Sequence, residues 1–298
     1  MQSFTRGWSF LQQAWSMAFK DKDLIKPSIY ALIVGMIVSV IGIIPIAVSA
    51  FIFGTDSTVG QAILFVLGAI LVFVQFVVSY VFSAMTVYLI YGYLAEGDGR
   101  MDKAWAIVRR DFFDILTLAA VSTVVNLLRQ SAQKNRKGLL AGVLRAAAGA
   151  LEALWTEAAL LVLPAMVIDD LNLKDGLERI LKITRENLLL VGISAVGVNW
   201  VTGLIGFVLG VVGAVLGFGV GYGIILATGS ATFGIVVGIV LGALIFFAFV
   251  MIASVISTYT GTAYHTCLYI WARETEKARA QGQTSAVAAP APLAAVLG

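Results

Sequence analysis

The sequence predicts an all-α, polytopic helical membrane protein with about six transmembrane helices and three interfacial amphipathic helices. Three observations predict it. Of 298 residues, 60% are hydrophobic and only 12% are charged, whereas a soluble domain is nearer half apolar and a quarter charged. The charges are also segregated. None falls between Lys26 and Asp56, between Asp56 and Glu96, or between Glu186 and Arg273. Each run exceeds the roughly 20 apolar residues of a helical span. Third, three shorter stretches carry apolar residues on one helical face and charges on another. Outer-membrane strands would alternate in polarity over about 10 residues, a pattern absent from this sequence.

The elements follow in order. Phe4, Trp8, Leu11, Trp15 and Phe19 share one face of a helix near 3–20, suited to the headgroup region. The first span runs near 27–53, opened by Pro27, whose missing N–H costs nothing in a first turn. The second, near 60–95, is long enough to tilt or to project beyond the bilayer. A second amphipathic helix lies near 100–113, with Met101, Trp105, Val108 and Phe112 on its apolar face. A shorter apolar run near 112–128 leads into the polar loop "RQSAQKNRKG", and a fourth span covers 144–168. A third amphipathic helix near 172–186 starts at Asn172, a capping residue with Asp175 in the first turn. Beyond it, 187–272 reads as a span near 188–216 and a long helix near 231–273. The break is expected at "GFGVGYG" or "ATGSAT"; two extra short spans are the alternative. The transmembrane domain thus covers 1–280, and the Ala/Pro-rich stretch 281–298 is expected to be disordered.

The net charge of +3 reflects membrane orientation. With six spans, 15 of the 20 Lys and Arg residues fall on one side, around Lys22, Arg110, Arg185 and Arg273. The positive-inside rule makes that side cytoplasmic, with both termini, in a cytoplasmic (inner) membrane. Arg129, Lys134, Arg136, Lys137 and Arg145 fall on the other side. The basic segments suit anionic lipid headgroups rather than nucleic acid. Trp8, Trp15 and Trp105 are the expected interfacial anchors.

The candidate chemistry is sparse. Glu157 lies 12 residues before Asp169, about 18 Å into the membrane. Asn126, Asn199 and Ser83 fall at similar depths on other helices, so a midplane polar layer is geometrically open. It reads as an ion or proton relay, or as a protonated glutamate bonded to an asparagine that joins helices. Glu152 pairs with Arg145 or is solvated at the outer interface. His265, about 12 Å from the cytoplasmic end, is a second polar site: a pH-sensitive group or a buried neutral ring. Gly203, Gly206, Gly210, Gly213 and Gly217, three or four residues apart, form a small-residue face for helix packing. One cysteine and one histidine exclude disulfides within the chain and multi-histidine metal sites. No nucleophile–base set is present, so neither an enzyme, a cofactor nor a metal site is expected. The partners implied are membrane lipids, and other membrane subunits or a second copy of the chain. A scaffold or subunit of a membrane assembly is the leading reading; a channel or transporter for a small solute or ion, using Glu157, is the alternative.

The stretch "RGWSFLQQAWSMAFKDKDLIKPSIYALIVG" resembles the start of an uncharacterised bacterial and archaeal family of polytopic membrane proteins, a domain of unknown function. Trp8, Trp15, Lys22, Asp23, Leu24 and Pro27 fit its SW…SW…DKEL…P pattern. "NRKGLLAGVLRAAAGALEALWTEAALLVLPAMVIDD" resembles its second block, with Trp155, Pro164 and Asp169 or Asp170, and "LKDGLERILKITREN" its amphipathic helix. The resemblance implies the polytopic fold and no activity. Glu157 departs from the apolar residue expected there.

Overall fold

Long apolar runs fold here into long helices, two of them through an internal proline, Pro45 and Pro164. The computed structural model describes residues 2–134, 139–228, 232–282 and 287–297, with side chains for 5–133, 142–183, 200–228, 232–282 and 287–294. Among the described residues there is no strand. The α-helices are α1 (Gln2–Lys20), α2 (Lys26–Phe53), α3 (Thr58–Glu96), α4 (Met101–Arg110), α5 (Phe112–Lys134), α6 (Leu139–Asp169), α7 (Leu173–Ala227), α8 (Thr232–Ala280) and α9 (Ala291–Leu297). Among the described residues, six helices are long and apolar enough to cross a membrane: α2, α3, α5, α6, the Trp200–Ala227 part of α7, and α8. The protein is thus an all-α, multi-pass membrane protein.

Several boundaries differ from the sequence reading. The amphipathic stretch near 172–186 and the span near 188–216 form one helix, α7, of 55 residues. No glycine or proline interrupts Leu177–Leu190, so the helix continues where the charge stops. "GFGVGYG" stays helical, and α7 ends at Ala227, where "ATGSAT" begins; residues 229–231 lie outside the described ones. Two helices, without extra short spans, therefore occupy this region. α5 extends through Lys134 and α6 begins at Leu139, so helix consumes most of the expected polar loop. Its residues 135–138 lie outside the described ones.

The tail expected to be disordered also folds back. Pro290 O accepts from Leu293 N and Ala294 N at the start of α9. Leu293 is fully buried in the main core, and Trp271 Nε1 donates to Val287 O at 3.2 Å. A proline-rich composition lowers the entropy lost on ordering, and one buried leucine gives the tail an anchor.

The core sits at one end of the molecule. Its buried side chains come from α1, the 80–90 stretch of α3, α4, the start of α5, the end of α6, the start of α7, the 259–269 stretch of α8, and α9. These stretches are rich in tyrosine: Tyr80, Tyr259, Tyr264 and Tyr269 are all buried. The α2–α3 and α7–α8 hairpins rise away from this core. Their large apolar side chains, such as Ile41, Phe51, Phe218 and Phe247, are mostly exposed, as lipid-facing side chains are.

α1 and α4 pack through small residues, with tryptophan outward. α1 buries Gly7, Phe10, Ala14, Met17 and Ala18, while Trp8 is 42% exposed. Phe10 meets the edge of Tyr264, and Tyr259 Oη donates to Ala14 O at 2.9 Å. Trp15 differs from the expected anchor: its Nε1 donates to Thr260 Oγ1 at 3.2 Å and its ring packs against Tyr259. α4 buries Ala104 and Val108, and Trp105 faces out beneath the Arg109 guanidinium. Asp21 ties α1 to the turn after α3: its carboxylate accepts from Gly99 N at 2.7 Å and from Asp23 N at 2.9 Å.

Candidate functional site

Glu157 and His265 are brought together. His265 sits in the tyrosine-rich part of α8, where its ring is buried. Its Nδ1 lies 2.7 Å from Gly261 O, one turn earlier. A carbonyl only accepts, so Nδ1 carries a hydrogen, and in the neutral ring Nε2 keeps its lone pair. That nitrogen lies 3.4 Å from Glu157 Oε2 on α6, a long contact. The pair can share one proton, as neutral acid with neutral imidazole or as carboxylate with imidazolium. The Glu157 side chain is 47% exposed and that of His265 5%, so the acid lies at the rim and the ring inside.

Trp155, two positions away and therefore about 200° around α6, faces the other way. Its Nε1 donates to Ser122 Oγ of α5 at 2.8 Å. Ser122 donates its own proton to Leu118 O. Tyr80 Oη of α3, 2.8 Å from Ser122 Oγ, is then the donor of that pair. One buried serine thus joins α3, α5 and α6, with all its hydrogen-bonding capacity used.

At the ends of α6 and α8 lies a cluster of charged groups. Asp169 Oδ1 accepts from Arg273 Nη2 at 2.8 Å. Asp169 Oδ2 accepts from Tyr269 Oη and lies 3.4 Å from Arg179 Nε. Arg179 Nε also donates to Tyr269 Oη at 3.1 Å, and its Nη2 pairs with Glu276 at 2.9 Å. Lys182 Nζ reaches the other oxygen of Glu276 at 2.9 Å. Burial works against the Arg179 charge; the Tyr269 hydroxyl and the Glu276 and Asp169 carboxylates outweigh it and raise its pKa above the usual arginine value. The clasp joins α6, α7 and α8. Beside it, Asp170 adopts a left-handed conformation (φ 56°), which a short polar side chain tolerates. Arg110 holds that corner, 3.2 Å from Asp170 and 2.6 Å from Asp111.

The residues singled out by sequence distribute as follows. Asn126 accepts from Gln130 of its own helix at 2.6 Å. Ser83 is buried in the α3 part of the core. The Asn199 side chain lies outside the described residues. The expected layer around Glu157 is therefore replaced by His265, which had been placed at a separate depth. Counting residues from each helix end treats helices as rods normal to the membrane; tilted, crossing helices meet at different counts. Glu152 pairs with Arg129 of α5.

Among the glycines, Gly213, Gly217 and Gly221 face α8. Space at Gly217 is closed by the Gly242 carbonyl, and a Cβ at Gly221 would sit 2.6 Å from Gly238 O. Gly203, Gly206 and Gly210 have no neighbour within 4 Å of a Cβ position: they lie on faces of α7 that α8 does not cover there. The clasp, the Ser122 junction and the facing glycines at 238 and 242 were missed. The only sequence signal was the four-residue spacing Gly234, Gly238, Gly242. No protein-family model matches the chain, and no curated protein does.

Proposed function

We propose that the chain is a scaffold or subunit of a membrane assembly in the cytoplasmic (inner) membrane, without catalytic turnover of its own. The observation that carries this reading is the flank of α6, where Glu157 is 47% exposed in an apolar segment while buried His265 steers its carboxyl. An ionisable group within the hydrocarbon costs roughly 3 kcal/mol or more and usually faces protein. A helix of another subunit, or of a second copy, would pack against this exposed flank of α6. Trp8, Trp105 and the basic faces beside them supply contacts with lipid headgroups. A photo-crosslinking residue at Leu154, exposed one turn before Glu157, should give one discrete protein adduct in cells. Adducts to lipid alone would overturn the reading.

A channel or transporter is the second reading, and the approach of Glu157 to the buried His265 ring favours it. In liposomes, solute or ion flux that Glu157→Gln abolishes would replace the scaffold with a transporter.

We further propose that both termini are cytoplasmic, on the strength of the Lys and Arg distribution. In a Cys267→Ala background, a cysteine at Asp56 should react with an impermeant thiol reagent in intact cells, and one at Lys174 should not. The opposite pattern would invert the topology.

A further inference from the structure

Between α2, α3 and α8, where the hairpins leave the core, lies a cavity of about 470 Å³. Six polar side chains line it: Ser28, Ser39, Gln75, Ser79, Ser254 and Thr258, and no charged one does. Gln75 uses both amide hydrogens within it, donating to Gly35 O at 2.9 Å and to Ser39 Oγ at 2.7 Å. Neither its carbonyl oxygen nor the Ser39 hydroxyl hydrogen has a hydrogen-bond partner among the described residues. Ser28 is 3% exposed, and its Oγ is the one buried side-chain polar atom without a hydrogen-bond partner among the described residues. A buried hydroxyl without a partner has lost its water and gained nothing in exchange. From Ser28 to Ser39 the cavity follows α2 for about 16 Å, from its first turn into the apolar span. Met36 and Val40, which also line it, are 42% and 64% exposed, so it opens sideways toward the bilayer.

We propose that this cavity binds a neutral lipid that carries hydroxyl or ester groups, entering laterally from the bilayer. Its polar head exchanges hydrogen bonds with Ser28 and Gln75, and its chains lie along Met36 and Val40. The volume falls within the range of small-molecule sites and suits a glycerol diester with the first part of its chains. A phosphate headgroup has no guanidinium or ammonium there to receive it, so a neutral head is preferred.

The test uses the full chain in detergent, titrated with dioleoylglycerol or with dioleoylphosphatidylglycerol and read by native mass spectrometry and thermal unfolding. Dioleoylglycerol should be retained in preference. Ser28→Ala should weaken retention about fivefold, the worth of one hydrogen bond. Ser39→Leu, which narrows the cavity and removes the acceptor that holds Gln75, should weaken retention further. Without lipid, Ser28→Ala should be at least as stable as the native chain, because it removes an unsatisfied hydroxyl. Equal retention of the two lipids would overturn the proposal. So would retention unchanged by Ser28→Ala, which would mean that the lipid is held without the Ser28 hydroxyl.

Discussion

Asp169→Ala lowers the midpoint of thermal unfolding in detergent by roughly 6–12 °C, the largest effect expected of any single polar substitution here. Its carboxylate receives Tyr269, Arg273 and Arg179, and its side chain is only 15% exposed. Removing it leaves two arginines facing each other, at 20% and 27% exposure, without the anion between them. Breaking a buried pair from one side costs about 3 kcal/mol or more, and a chain of this size loses roughly 2–4 °C per kcal/mol. Asp169→Asn keeps an oxygen for Tyr269 and should lose less. Replacing Asp169 and Arg273 together by leucine should recover part of the loss, because no charge is then left without its partner. A midpoint unchanged by Asp169→Ala would mean that apolar packing alone ties α6 to α8.

Alanine substitutions along α7 should have opposite signs depending on the face they occupy. At Gly221 a Cβ would lie 2.6 Å from the Gly238 carbonyl oxygen, and at Gly217 the Gly242 carbonyl blocks the space. These obstacles are backbone, which cannot rotate away. The double substitution Gly217→Ala, Gly221→Ala must push the arms apart, at a cost of about 1–3 kcal/mol in lost packing. Gly206→Ala and Gly210→Ala meet nothing within 4 Å and should gain up to about 1 kcal/mol each in helix propensity. Thermal unfolding and limited proteolysis at the Ala227–Thr232 turn read both effects. If all four substitutions stabilise, the arms do not touch through glycine.

What the sequence made legible was whatever depends on local composition. Runs without charge marked the spans, because a charge in hydrocarbon is costly wherever the partner helix lies. Asn172 was legible as a cap, and its Oδ1 does accept from Asp175 N, since capping involves only neighbours in the chain. Features that need two distant stretches were hidden. Asp169 and Arg273 each read as a charge at the end of an apolar run, and nothing local says that they converge with Arg179 and Glu276. In α1, the aromatic positions Trp8, Trp15 and Phe19 drew attention, although Gly7, Ala14 and Ala18 face the core; small residues permit closer approach than large ones. The glycines of "GFGVGYG" looked like breakers because glycine lowers helix propensity, but here the missing side chain lets the Gly238 carbonyl approach. Likewise Glu157 found its partner at a depth that a straight-rod count does not give.

The confinement of the core to one end has a consequence for the order of assembly during synthesis. Its pieces are drawn from residue 10 to residue 293, so no contiguous half of the chain can complete it. The α2–α3 and α5–α6 hairpins emerge from the ribosome and enter the bilayer first, each satisfying its backbone within its own helices. The Tyr80 side of the core must then wait for Tyr259, Tyr264 and Tyr269, which emerge some 180 residues later. At about 5–20 residues per second, that wait lasts on the order of 10 s or more. Through it, one end of the nascent protein presents tyrosines and hydroxyls that have not yet met their partners. An insertion-stage chaperone would find its substrate there, and truncation before α8 would leave that surface open.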